Sequence, residues 1–335
     1  MKQKLVVLSV VIFTITNLYA QQKTGLHVIN TFHIASAGGW DYLEPGPVND
    51  WLYVSHGTQV NILNKKTGDS VGVIENTTGI HGITFDVANG KGYTSNGRLN
   101  NVYVFDMNTN KVLATIATGE NPDAIMYEPF SKKIITCNGR SKNLSIIDPQ
   151  QNKVIGSVDI GGKPETAVSD GAGKIFVNNE DKNEIVVVDA TTFKVINRWS
   201  IAPGEGPTGL AYDAATKRLF AGCEKLLMVI DATNGKVVDK ITIGDGCDGV
   251  AFDAGTKNIY TSNGEGTLTV IHEESADKFI VIENIVTKKG ARTIAIDKAT
   301  GLLYLPTAEF DLKEMDQRGR PKMIPGTFQV LVIGK

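Results

Sequence analysis

Cysteine is scarce: Cys137, Cys223 and Cys247 are the only three in 335 residues. Three thiols cannot make a disulfide framework, so sheet pairing and core burial must hold the fold. An excess of charge of one sign is also missing. Lys and Arg number 34 against 36 Asp and Glu, a formal net charge of −2, which argues against non-specific attraction to nucleic acid or anionic lipid. Long apolar runs are confined to the start. Lys2 and Lys4 precede an apolar stretch from Leu5 to Ile15, and Ala20 is a small residue before Gln21; this reads as a cleavable signal peptide over residues 1–20. No later stretch is apolar enough to span a bilayer. Residues 21–335 are therefore expected to form one periplasmic or secreted domain, a monomer. GxSxG, HExxH, a phosphate loop and CxxCH are all absent, and nothing reads as a classical protease, kinase or cytochrome.

What the sequence holds in quantity is a repeat. The pattern apolar-x-apolar-apolar-Asp, with Asn64 and His272 replacing Asp in the first and last copies, starts at Val60, Val102, Leu144, Ile185, Leu227 and Leu268, in steps of 41 or 42 residues. A constant period filled with alternating strands and Gly/Asn/Asp turns is the signature of a β-propeller rather than a helical array. Innermost strands are expected to begin near Asp41, His81, Asp123, Glu165, Thr208, Asp248 and Arg292. That gives an all-β, seven-bladed propeller of four-stranded blades. The last blade lacks two strands, which Phe328–Ile333 and, from the other end of the chain, Leu26–Ile34 would supply. Zipping the two ends together closes the ring and removes two sheet edges. Residues 308–327 remain as an inserted loop over the channel face.

Segments such as "VIDATNGKVVDKITIG", "YTSN" and "FVNN", with the closing "PGTFQVLVIGK", resemble the repeats of the YVTN-type, YncE-like β-propellers, a group with secreted bacterial members. The resemblance covers essentially the whole mature chain and implies the fold. It does not imply one activity, since members have varied roles.

Two columns of residues should face the channel mouth, where propellers commonly gather ligands. The first is the ring Asp41, His81, Asp123, Glu165, Thr208, Asp248 and Arg292. A hydrated polar lining accounts for it; so does a bound divalent cation or small ligand held by the carboxylates, with His81 and His56 nearby. The second column ends the second strands: His56, Asn96, Asn138, Asn179, Cys223, Asn263 and Thr307. Three of its asparagines precede Gly, a pair favoured in turns because both residues tolerate positive φ. Cys223 and Cys247 hold related positions, open to a disulfide or to burial as small apolar residues. The function expected is a binding or protein-interaction scaffold with a small-molecule, metal or protein ligand. The alternative is a metal-dependent lactonase-type hydrolase, since some propeller lactonases resemble this chain. Its cation would sit among His56, His81, Asp123, Asn138 and Glu165, with Asn179 nearby and His81 as a base. Single-stranded nucleic acid, attributed to some relatives, would need basic residues interleaved with aromatics, and that stripe is missing.

Overall fold

The computed structural model describes residues 23–315, 319 and 321–335, so the expected signal peptide lies outside the described residues. Seven four-stranded antiparallel sheets stand around a central axis. Six are plain meanders, such as the first, built from Trp40–Pro45, Trp51–His56, Gln59–Asn64 and Ser70–Ile74. The seventh takes strands from both ends of the chain, in the order His27–His33, Gln329–Gly334, Leu303–Thr307, Ala295–Ile296. Val28 pairs with Ile333 and Phe32 with Val330, the closure that the spacing predicts.

The recurring Asp is a turn device. Asp106, Asp148 and Asp189 each turn a carboxylate oxygen back onto the amides that follow, at 2.8 Å to Thr109 N, 2.8 Å to Gln150 N and 2.7 Å to Thr192 N. Such side-chain turns let the third strand reverse into the outer one. The reversal then needs a residue at positive φ, which Asn110 (58°), Asn152 (49°) and Gly235 (79°) supply. No catalytic meaning attaches to the signature Asp.

Alternation within each strand sends apolar side chains to both faces of a sheet, where they meet the neighbouring blades. Ile135, Cys137, Leu144 and Ile146 of the third blade interdigitate with Ile175, Val177, Val186 and Val188 of the fourth. Phe32, Val330 and Phe328 of the closing blade pack against Leu52 and Val54 of the first. Each such buried side chain contributes roughly 1.5–3 kcal/mol, so the ring closes on apolar area as well as on strand pairing.

The insertion is a short hairpin rather than a bare loop. Phe310–Met315 pairs with Pro321–Met323, and Phe310 rests on Trp40 of the first blade at 6.0 Å between ring centroids. Among the described residues, no helix is long and apolar enough to cross a membrane.

Candidate functional site

Each innermost strand starts at the channel mouth, and five of the seven carry a register shift there, between Trp40 and Leu43 and at the equivalent points of blades two, three, four and six. A bulge breaks the strict alternation of side chains. It brings the ring residues of blades one to three together. His81 Nδ1 donates to Asp41 Oδ2 at 2.6 Å and lies 3.5 Å from Asp123 Oδ1. The Asp123 side chain is buried, with Oδ1 accepting no hydrogen bond. Gly97 makes room for the imidazole: a Cβ at that position would stand 2.7 Å from His81 Nε2.

Charge continues around the mouth on both sides of this triad. Arg292 Nη2 is 3.5 Å from Asp41 Oδ1, and its Nη1 contacts Asp248. Lys163 Nζ is 2.8 Å from Glu165 Oε2 and also contacts Glu180. Below the triad, the Tyr42 hydroxyl crosses to within 3.5 Å of Thr166 Oγ1 on the fourth blade. Burial, with the charges of Glu165, Asp123 and Asp41, pushes its hydroxyl pKa up, so Tyr42 belongs to the acidic cluster.

Burial works against ionising Asp41, but the hydrogen bond from His81 and the positive charges of Arg292 and His81 prevail and hold its carboxyl below the usual range. Asp123 goes the other way: burial, with Asp41 as a like neighbour, raises it despite His81. Burial and Asp123 raise Glu165 as well, against the pull of Lys163. Burial disfavours the imidazolium of His81, yet the Asp41 hydrogen bond and the Asp123 charge lift it to about 8. Near neutral pH the triad therefore holds a proton on His81 between two acids of unequal basicity.

Several expected site residues are spent on structure. His56 is fully buried; its Nδ1 meets Ser36 Oγ at 2.6 Å, its Nε2 meets Gly38 O at 2.8 Å, and its ring stacks on Phe328 at 3.8 Å. With both nitrogens and one face engaged, His56 does not join His81. Asn138 accepts from Thr136 and donates to Asn143 and Ser145 at 2.8 Å, leaving nothing for a ligand. Asn96 and Asn263 repeat that arrangement with Thr94 and Thr261. The Asn-Gly pairs are not positive-φ turns, since neither Asn96 nor Gly97, Asn138 nor Gly139, Asn263 nor Gly264 has positive φ. Their asparagines tie the second strand to the third instead. Asn179 donates to Glu184 at 2.9 Å but keeps a buried Oδ1 without a partner. Thr307 donates to Lys289 O at 2.7 Å. Thr208 leaves the ring by donating to Cys247 O at 2.8 Å. Cys223 and Cys247 are free and buried, the apolar alternative rather than the disulfide.

Lys163, Tyr42, Trp40 and Phe310 belong to the mouth and were not legible as such. Lys163 sits two residues before a ring position, in "GGKPE", and that proximity was the only available signal. Tyr42 follows Asp41 directly, and strict alternation would turn it away from the channel; the bulge at Trp40–Leu43 overrides that rule.

No protein-family model matches the sequence, and no curated protein matches it. Among solved structures, the chain is similar to Kuenenia stuttgartiensis hydrazine synthase, with a TM-score of 0.69 at 14% identity, over 82% of this chain and 94% of that one. A likeness at that identity establishes the propeller fold alone.

Proposed function

We propose that this is a secreted or periplasmic binding propeller of the YVTN-type, YncE-like group, whose channel mouth holds a divalent cation between Asp41, His81 and Asp123. One observation carries the reading: Asp123 Oδ1 is buried without a hydrogen bond beside a histidine and a second carboxylate. A buried acceptor left unpartnered is costly, and a cation would satisfy it.

The donor set fits. One imidazole nitrogen and two carboxylate oxygens lie within 4.8 Å of one another, and ligands at about 2.0–2.2 Å from a metal stand roughly 3–4 Å apart. The 3.5 Å between Asp123 and His81 already matches. The 2.6 Å between Asp41 and His81 is hydrogen-bond spacing, so loading must displace the proton from Nδ1 and let the two groups part slightly. Mixed nitrogen and oxygen ligands favour Zn²⁺ or Mn²⁺ over Ca²⁺, which takes six to eight oxygens. Arg292 then serves as the outer partner that orients Asp41.

Cation binding is tested by calorimetry with Zn²⁺, Mn²⁺ and Ca²⁺ on metal-stripped protein at pH 6.5 and 8.5. Saturable uptake of one ion, tighter at the higher pH, supports the site; no heat with any of the three ions sinks it. The hydrolase alternative is weaker, because His56 and Asn138 are committed elsewhere and only His81, Asp123 and Glu165 of its set stay at the mouth. Chelator-sensitive lactone turnover would revive it. A small ligand or protein partner would reach the cation through the channel mouth.

A further inference from the structure

We propose a second ligand site, for a small aromatic carboxylate, in the cavity that the inserted hairpin closes against the first and last blades. It adjoins the cation site, with Arg292 common to both, but its occupant needs no bound cation. The cavity has a volume of about 540 Å³, within the range that small-molecule sites occupy. Trp40, Phe310 and Met323 give it an apolar wall, and Lys289, Arg292 and Lys322 a basic one. Among the described residues, no acidic side chain lines it.

Three features point to an anionic, aromatic occupant. The first is an unanswered donor: the Trp40 indole N–H is buried and has no acceptor, although the ring itself is held by stacking on Phe328 at 5.4 Å. The second is an unanswered charge. Arg292 pairs with Asp248 and Asp41, and Lys322 with Glu314 at 3.1 Å, but Lys289 at the rim has no acidic partner among the described residues. The third is a floor of bare backbone. At Gly290, which adopts φ +82°, a Cβ would meet the Phe310 ring at 2.8 Å; at Gly264, a Cβ would crowd the Gly246 carbonyl oxygen at 3.1 Å. Glycine at both places keeps the cavity open and lets the hairpin's aromatic ring seat over it. A flat apolar body packs against the continuous wall that Trp40 and Phe310 form where their rings meet, while its carboxylate lies against Lys289 and reaches the unanswered indole N–H once the Trp40 ring turns toward the cavity.

The test uses naphthalene-2-carboxylate and its neutral counterpart, naphthalene-2-carboxamide, titrated into the full mature chain with EDTA present, so that cation binding has no part in the result. Tryptophan fluorescence and calorimetry report binding. The carboxylate is expected to bind at least ~10-fold more tightly than the amide. Lys289→Gln should erase most of that difference while leaving amide binding unchanged, and Phe310→Ala should weaken both probes. Equal affinity for the two probes overturns the proposal, as do an unaffected Lys289→Gln variant and the absence of carboxylate binding at millimolar concentration. Unchanged circular dichroism and denaturation midpoint for Lys289→Gln, whose side chain is exposed, show that its effect is local.

Discussion

The channel mouth presents the same backbone position seven times, and its two sides use that position in opposite ways. On blades one to three, Asp41, His81 and Asp123 turn toward one another and leave a buried carboxylate oxygen without a hydrogen bond. Across the ring, Thr208 gives its hydroxyl to the Cys247 carbonyl, and the thiols of Cys223 and Cys247 are buried, their pKa values pushed up to about 12 chiefly by that burial. At Thr208 the ring position is tied to the backbone of the next blade; at Asp123 a buried charged oxygen is left without a hydrogen bond. The lesson is that a repeat delivers geometry, while a site arises where neighbouring copies carry groups that cannot satisfy each other.

The comparison breaks most visibly at His56, which belongs to the mouth by position and to the scaffold by contact. His56→Ala removes two ring hydrogen bonds and the stack on Phe328, and should cost about 3–5 kcal/mol of stability in urea denaturation. Cation affinity in the surviving folded fraction should not change. At the triad the pattern reverses: Asp123→Asn should weaken cation binding by more than ~100-fold and leave the denaturation midpoint unchanged or slightly raised. Equal effects of the two substitutions on stability would erase the distinction.

Proton linkage gives a smaller effect with a definite sign. His81 titrates in the fold at about 8 against an ordinary 6.5, so its ion pair contributes fully below pH 6.5 and is lost as pH rises through 8, by about 2 kcal/mol at most. Glu165, whose pKa is also raised, adds loss in the same direction. His56 does the reverse. Burial lowers it to about 4, so its contribution is present above pH 6.5 and fades as pH falls through 4. Urea midpoints measured from pH 4 to 9 without cation should peak between these limits, and His81→Gln should flatten the alkaline limb. A saturating cation should flatten it too. The smallest change is Thr208→Val, which removes one hydrogen bond to the Cys247 carbonyl and should cost about 1 kcal/mol, with no effect on cation affinity.

Much of the architecture was readable along the chain because a propeller repeats its physics. The strand alternation and the period recur in every blade, and the Asp turn in four of them, at Asp106, Asp148, Asp189 and Asp231, so errors in one copy are corrected by the others. The ring positions were readable for the same reason, and three of them, Asp41, His81 and Asp123, do converge. Reading failed where a residue's partners lie far away in sequence. His56 and His81 look alike on paper, and only the approach of Ser36, Gly38 and Phe328 separates them. Asn138 is the exception: Thr136, Asn143 and Ser145 consume it from only two to seven residues away, but across the hairpin between its second and third strands rather than along one strand. The inserted segment carried no periodic signal, and its docking on Trp40 was invisible beforehand.

The strands of the seven blades and their order within each meander were dictated locally, since alternation and turn chemistry act over a few residues. The closing blade instead joins residues about 300 positions apart, and was legible only from the count of strands left over at the two ends. Which polar groups stay unsatisfied at the mouth was settled by packing between blades. For His56 and Asp41 the deciding neighbours come from 20 and 251 positions away, and no local pattern encodes that.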